Sequence, residues 1–456
     1  MAITSTKRCS EEDDLEKEDG RKRLKAGTKI CNEYDGYSLQ GQASPKIDTV
    51  QMSSMSATTF FDQYIRQRKP CILDGLPPTT TTSSSSSSND KEIAITRELL
   101  ESVAGSRPIQ VEKRVGPNDN FGQNRTATRQ VAMPIRDFLK ALLDSDNELL
   151  YWSTQEDTDD PYNVPCRQLL EQHKIPPQIN LAGNLVLSSC NLWMGRSGQG
   201  ASSGLHHDYH DNFYCLLHGR KRFRLLSPDG APHLHVYGQI ECIHPNGRIS
   251  YAGNETRADG VPLSSLEEKD DDDDDDEEEE VVLGQGFDYI SDDEEDQEAF
   301  EKSNQKDDFE EMFAQDDEKN VDDDDDNDND TSLKNSSSKN DNSQPEDDSH
   351  PDSFSRINPC QADQDALHKE FPSYGSRRQV LIELQAGQML YLPAGWFHEV
   401  TSYSSNKNNA ALGECHMALN YWYHPPDDLE NFDNPYKDDF WKKEEQHRLK
   451  LSAKKM

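Results

Sequence analysis

The chain has 456 residues, a formal net charge of −39 and only 32% hydrophobic residues, values that would describe a disordered polymer if they were spread evenly. They are not: 40 of the 87 acidic residues but only 6 of the 48 basic ones lie between Glu267 and Asp352. The remainder is close to neutral and long enough to bury a core. Nine cysteines with no CxxC pair point to reduced thiols of the cytosol or nucleus, not to a disulfide framework, and no apolar run approaches the roughly 20 residues of a membrane span.

Residues 1–50 are polar, lack a sustained apolar period and read as a disordered tail. Lys7-Arg8 and Arg21-Lys22-Arg23-Leu24-Lys25 form two basic clusters, read either as a bipartite nuclear import signal or as solvated charge. The expected location is nucleus or cytoplasm. Residues 51–265 open with TTFFDQYIRQR, Thr58 to Arg68, whose Phe60, Phe61, Tyr64 and Ile65 predict an amphipathic helix ending before Lys69-Pro70. Cys71-Ile72-Leu73 reads as a short strand, and the Thr79–Ser88 tract as a surface loop.

A second helix is predicted from Pro134 to Leu143, with Ile135, Phe138, Leu139, Leu142 and Leu143 forming its apolar stripe. Strands follow at 149–152, 185–194, 212–217, 221–226, 379–383, 388–392 and 417–423, separated by turn signals such as Pro228-Asp229-Gly230 and Pro393-Ala394-Gly395. Many short strands behind a helical cap predict a mainly β fold, an antiparallel barrel or jelly roll. The acidic residues 266–355 read as a disordered insert within it, 356–440 as the second part of the barrel, and 441–456 as a basic C-terminal tail. Such an insert adds little to loop-closure cost, because that cost grows only logarithmically with length. Ser291, followed by five acidic residues, resembles a site for an acidophilic kinase.

The chemical signal is Ser203-Gly204-Leu205-His206-His207-Asp208. On extended backbone His206 and Asp208 project to one side, so an imidazole and a carboxylate can reach one cation. His398, in Leu392-Pro393-Ala394-Gly395-Trp396-Phe397-His398, is the candidate third ligand. Two His and one carboxylate leave three coordination positions open, the donor set of non-haem Fe(II) oxygenases. The spacing alone is weak, since His207, His210 and His218 stand close by.

The wider pattern resembles the Jumonji-C, cupin-like hydroxylase family. Ser203, Leu205, His206, Asp208 and Asn212 match its first motif, Gly219-Arg220-Lys221 the second, Gly387 through Tyr391, Pro393, Trp396 and His398 the third, and Leu419-Asn420-Tyr421-Trp422-Tyr423 the terminal strand. The resemblance covers about 56–75, 130–265 and 365–440. It implies a double-stranded β-helix holding Fe(II) on His206, Asp208 and His398, with 2-oxoglutarate and O2 as cosubstrates. It also implies that Lys221 binds the distal carboxylate of 2-oxoglutarate, with Ser203, Asn212, Asn420 and, more loosely, Tyr151 nearby. Alternation would turn Lys221 and Phe223 inward and Arg220, Arg222 and Arg224 outward, although a plain charged strand would look similar.

Within the family the short architecture and the absence of zinc-finger spacing resemble the small protein hydroxylases. The expected reaction is hydroxylation of a side chain such as lysine in a protein substrate. Lysine demethylation, hydroxylation of a tRNA base, and an inert acidic scaffold for basic proteins are the alternatives. The acidic tract repels nucleic acid and attracts basic proteins.

Overall fold

A computed structural model describes residues 31–79, 93–114, 120–121, 130–143, 150–152, 160–267, 350–361, 363–405, 412 and 414–455. The two basic clusters, most of the Thr/Ser tract, Ser291 and the acidic runs lie outside them. The larger sheet contains β2 (Asp48–Gln51), β3 (Cys71–Asp74), β4 (Pro108–Lys113), β5 (Gln130–Pro134), β6 (Leu150–Trp152), β7 (Leu187–Gly195), β10 (Asp211–His218), β15 (Gln388–Leu392) and β17 (His416–Tyr423). Its spatial order is β2-β3-β15-β10-β17-β7-β6-β4-β5. The second sheet sets β14 (Val380–Gln385), β11 (Arg220–Leu226), β16 (Phe397–Tyr403) and β8 (Ala201–Ser202) side by side, with the two-residue β9 (His206–His207) also on β16. A third, small sheet joins β1 (Cys31–Asn32), β12 (Ile240–Ile243) and β13 (Ile249–Tyr251).

Strand alternation sorts the two faces of the larger sheet. Phe213, Cys215, Met389, Tyr391, Leu419 and Tyr421 pack outward beneath helical residues Phe60, Leu100, Phe138 and Leu169. The intervening Tyr214, Leu216, Leu390, Leu392 and Ala418 turn inward and meet Phe223, Leu225 and Leu384 of the second sheet. The result is the expected mainly β jelly-roll barrel with a helical cap. Arg97–Ala104, β4 and β5 extend the cap further than the sequence pattern indicated.

The first predicted helix is present as Ala57–Phe60, continued by a π-helical turn over Phe61–Ile65. Ser56 caps it by accepting from the Thr59 amide. The second runs Ile135–Ala141 and stops short of Leu143, which is 57% exposed, so the predicted stripe was one residue too long.

Three boundaries need correction. The expected tail, 1–50, does not hold over residues 31–50: β1 pairs with β12 and β2 with β3, Leu39 is fully buried and its amide donates to Ser227 Oγ at 3.2 Å. A polar stretch was misread because its partners lie far away in sequence. The expected insert, 266–355, overruns at its end: Ser353, Phe354 and Ser355 are buried, and the Ser355 amide donates to Leu205 O at 2.8 Å. The C-terminal residues are not a tail but the helix Phe440–Lys455, whose Trp441 donates to Asp259 O at 3.2 Å.

One ion pair joins these parts. Arg68, at φ +52 just beyond the first helix, is fully buried against the fully buried Asp211 at the start of β10. Its guanidinium grips both carboxylate oxygens, with Nη1 at 2.8 Å from Oδ2. Burial alone would lower the pKa of Arg68, but Asp211 and Tyr391 reverse this and hold it charged. Breaking such a pair strands one charge in the interior. Arg68→Ala and Asp211→Ala are each expected to cost about 3–5 kcal/mol in denaturant unfolding, and the double variant clearly less than the sum. Additive losses would show that the pair is not a unit.

Candidate metal and cosubstrate site

In the second sheet β9 runs antiparallel to β16, with His206 opposite His398 and His207 opposite Phe397. Directly opposed residues share a face, so His206 and His398 meet and His207 is turned away. The two imidazole centroids are 4.3 Å apart. Asp208, two residues on, returns to the same face, with its Oδ2 3.7 Å from His398 Nε2. One donor atom from each of the three lies within 4.8 Å of the others. A first-row divalent cation sits roughly 2 Å from each ligand, which this spacing permits.

The ring orientations are fixed from behind. Nδ1 of His206 faces Gly204 O at 3.1 Å and Nδ1 of His398 faces Trp396 O at 3.0 Å. A carbonyl only accepts, so Nδ1 carries the proton and the Nε2 lone pair is left for a metal. Asn212 donates from Nδ2 to Asp208 Oδ2 at 3.3 Å. Burial raises the Asp208 pKa, while His398 and Asn212 oppose the rise. Gly395, at φ +76 in the turn before His398, packs so closely on the Gly247 carbonyl that a Cβ there would overlap it.

The neighbouring histidines have other work. His207 shares Nε2 with the Tyr251 hydroxyl at 2.7 Å, and burial pushes its pKa down to about 3. His210 meets Ser188 Oγ at 3.1 Å and stacks on Trp422. His218 stands at the far end of β10.

Lys221 is inward on β11, 1% exposed, while Arg220 pairs outward with Glu383 at 2.6 Å. Lys221 Nζ donates to Ser402 Oγ at 2.6 Å and lies 5.6 Å from the Tyr151 ring centre and 5.9 Å from that of Tyr214. Among the described residues it has no carboxylate partner, and burial lowers its pKa to about 7. Ser203 is placed differently from its expected role: its hydroxyl donates to Gly204 O and accepts the Val400 amide. The hydroxyl beside Lys221 belongs instead to Ser402, which the strand period counted from His398 would have indicated. Asn420 is inward, between Tyr214 on β10 and Asn191 on β7.

Several buried polar atoms here have no hydrogen-bond partner among the described residues: Asn212 Oδ1, Asn420 Oδ1, Trp193 Nε1, Trp422 Nε1 and both ring nitrogens of His416. Orphaned groups of this kind are costly in a closed core and suit a polar ligand. His416, flanked by Tyr151 at 5.7 Å, was missed although it lies four residues before Asn420 on the same face. Phe354 was missed for lack of any local signal. It stacks on His206 at 4.6 Å, interplanar angle 8°. The donor set therefore fits a divalent metal, and the buried cation with its orphaned amides fits a polar, anionic cosubstrate.

The chain belongs to the cupin-like, JmjC-containing family. The family model for the cupin-like domain matches residues 57–429, and members of the family are generally 2-oxoglutarate-dependent oxygenases. JmjC domain-containing protein 4 of Schizosaccharomyces pombe is 31% identical, over 89% of this chain and 90% of that protein. JmjC domain-containing protein E of Dictyostelium discoideum is 22% identical, over 46% of this chain and 58% of its own.

Two outcomes follow from the geometry. Replacing 268–349 by a short Gly/Ser linker should leave divalent-metal affinity unchanged in calorimetric titration. Phe354→Ala, or a deletion extended to 355, should weaken it about tenfold or more. Secondly, folded Lys221 discharges near pH 7 while the unfolded lysine holds its proton to about 10.5. The unfolded chain thus binds more protons between those values, and stability rises with pH across them. Lys221→Met should lack this component: it is more stable than the wild type below pH 7, with the gap closing toward pH 10 in ligand-free denaturation. A pH-independent gap would mean that Lys221 is not desolvated.

Proposed function

We propose that this protein is an Fe(II)- and 2-oxoglutarate-dependent dioxygenase that hydroxylates a side chain, such as lysine, of a protein substrate. The observation that carries the reading is the opposition of His206 and His398 with Asp208 beside them, together with a buried inward lysine that has no carboxylate partner among the described residues. Bound Fe(II) supplies the redox chemistry: O2 oxidises 2-oxoglutarate to succinate and CO2, and the second oxygen atom enters a substrate C–H bond.

The chain's own residues bind, orient and exclude water. His206, Asp208 and His398 would hold the metal, and a three-residue donor set would leave room on it for cosubstrate and O2. Lys221 and the Ser402 hydroxyl would hold the distal carboxylate, a charge-assisted contact strengthened by burial. That negative charge would also keep Lys221 protonated at neutral pH, reversing the effect of its burial. Asn212 orients Asp208, and the Gly204 and Trp396 carbonyls keep the imidazole protons on Nδ1. Tyr214 flanks Lys221, and Trp193 packs against Trp422.

The substrate class rests on weaker support. The acidic tract disfavours nucleic acid and favours a basic protein, and paired-cysteine reader modules are missing from the sequence. The basic clusters near the N-terminus suit entry to the nucleus, with the cytoplasm as the other location. An inert acidic scaffold is disfavoured because the ligand set and Lys221 are intact.

With Fe(II), 2-oxoglutarate and basic peptide pools, the protein is expected to release succinate and produce a peptide heavier by one oxygen atom, with no formaldehyde. His206→Ala should abolish both products. Formaldehyde with a demethylated peptide would favour the demethylase instead, and absence of succinate would remove the enzymatic reading.

A further inference from the structure

Away from the barrel interior, the small third sheet gathers a second set of metal-binding atoms. β1 and β12 run parallel with Cys31 paired to Cys242, so the two thiols stand side by side on one face. The register is fixed one residue further on, where the Glu33 amide donates to Ile243 O at 2.8 Å. Glu33, two residues after Cys31, returns to the face of the thiols. Cys31 Sγ lies 3.6 Å from Glu33 Oε1, and one donor atom from each of Cys31, Glu33 and Cys242 falls within 4.8 Å of the others. Both cysteines are free thiols.

We propose that Cys31, Glu33 and Cys242 form a second metal site that takes Zn(II), fastening the N-terminal strand onto the barrel. Two thiolates and a carboxylate select a borderline-soft cation, and hard ions such as Mg(II) and Ca(II) discriminate against sulfur. Three protein ligands leave a fourth tetrahedral position to water, and Glu33 with His244 also lines a neighbouring open cleft of about 370 Å3. His244 is occupied by Ser250 Oγ at 2.8 Å and is not needed as a ligand.

The surroundings favour added positive charge. Burial raises the Cys242 thiol, and the carboxylates of Glu33 and Glu241 add to the rise. A divalent ion would reverse that by stabilising both thiolates, and binding should therefore strengthen as pH rises. The clamp also has a mechanical consequence. Residues 31–51 carry Tyr34, Leu39 and β2 onto the barrel, and their first strand has only two residues. A metal there would replace the missing length of ladder.

The test uses the full chain with His206→Ala and His398→Ala, so that the barrel site takes no metal, and Co(II) as the probe. A thiolate bound to Co(II) gives a near-ultraviolet charge-transfer band that carboxylates do not, so the acidic tract is silent in this readout. One equivalent of Co(II) should produce the band, and Zn(II) should displace it. Cys31→Ser or Cys242→Ser should eliminate it, and Glu33→Gln should move the titration to higher cobalt. The same titration on the chain with its barrel ligands intact guards against misfolding of the double variant. There Cys31→Ser should remove the thiolate band alone and leave a second equivalent of cobalt bound. No band while both thiols react with a thiol reagent would overturn the proposal, as would a Cys31–Cys242 disulfide seen by peptide mapping.

Discussion

The buried pair of Arg68 and Asp211 is the contact on which the geometry of the barrel mouth depends. Two charges taken out of water are repaid by their attraction only when further hydrogen bonds meet their remaining donors and acceptors, and several do so here. Asp211 also accepts the Tyr391 hydroxyl at 2.8 Å and the Ala394 amide at 3.0 Å, while Arg68 Nε donates to Asn246 O at 2.7 Å and the Arg68 carbonyl accepts the Trp396 indole at 3.1 Å. The cap, the start of β10, the end of β15 and the turn before His398 are thereby fixed to one point. Asp211 lies three residues beyond Asp208, and Ala394 four before His398. The two halves of the candidate metal site, far apart in sequence, are thus referred to a common origin in addition to the pairing of β9 with β16.

Beyond that point the two faces of the larger sheet divide the work. Its outward face is apolar and packs under helices, supplying ordinary hydrophobic stabilisation. Its inward face holds groups unmatched among the described residues, two asparagines with orphaned oxygens and a histidine whose ring nitrogens are both unpaired, and across the interior the second sheet contributes Lys221, which has no carboxylate partner there. Each is a cost to the folded chain. A binding site is where such costs are tolerated, because the ligand removes them.

Much of this was legible. The alternation in Arg220–Leu226 indicated Lys221 and Phe223 inward, where they lie, since side-chain direction in a strand is a local property. The family resemblance, more than the spacing, marked His206, Asp208, Asn212 and Lys221 as candidates. The misread parts depend on contacts distant in sequence. Residues 31–50 look polar because a few side chains, Leu39 above all, carry their burial. Ser353–Ser355 adjoin an acidic run that masks them, and Phe354 reaches His206 only through tertiary packing. The C-terminal helix has no strong apolar stripe and docks chiefly through Trp441. Ser203 carries the hydroxyl that the family pattern leads one to expect, but the backbone of Val400 and Gly204 already engages it.

In the proposed enzyme Fe(II) on His206, Asp208 and His398 and a 2-oxo acid whose distal carboxylate reaches Lys221 are bound together. A 2-oxo acid that chelates Fe(II) through its carboxylate and oxo group produces a visible metal-to-ligand charge-transfer band. Anaerobic titration of the Fe(II)-loaded chain with 2-oxoglutarate should therefore develop this band at one equivalent. With Lys221→Met, the same band should require a much higher concentration of 2-oxoglutarate. No band in the wild-type protein, or equal affinity in the variant, would contradict the account.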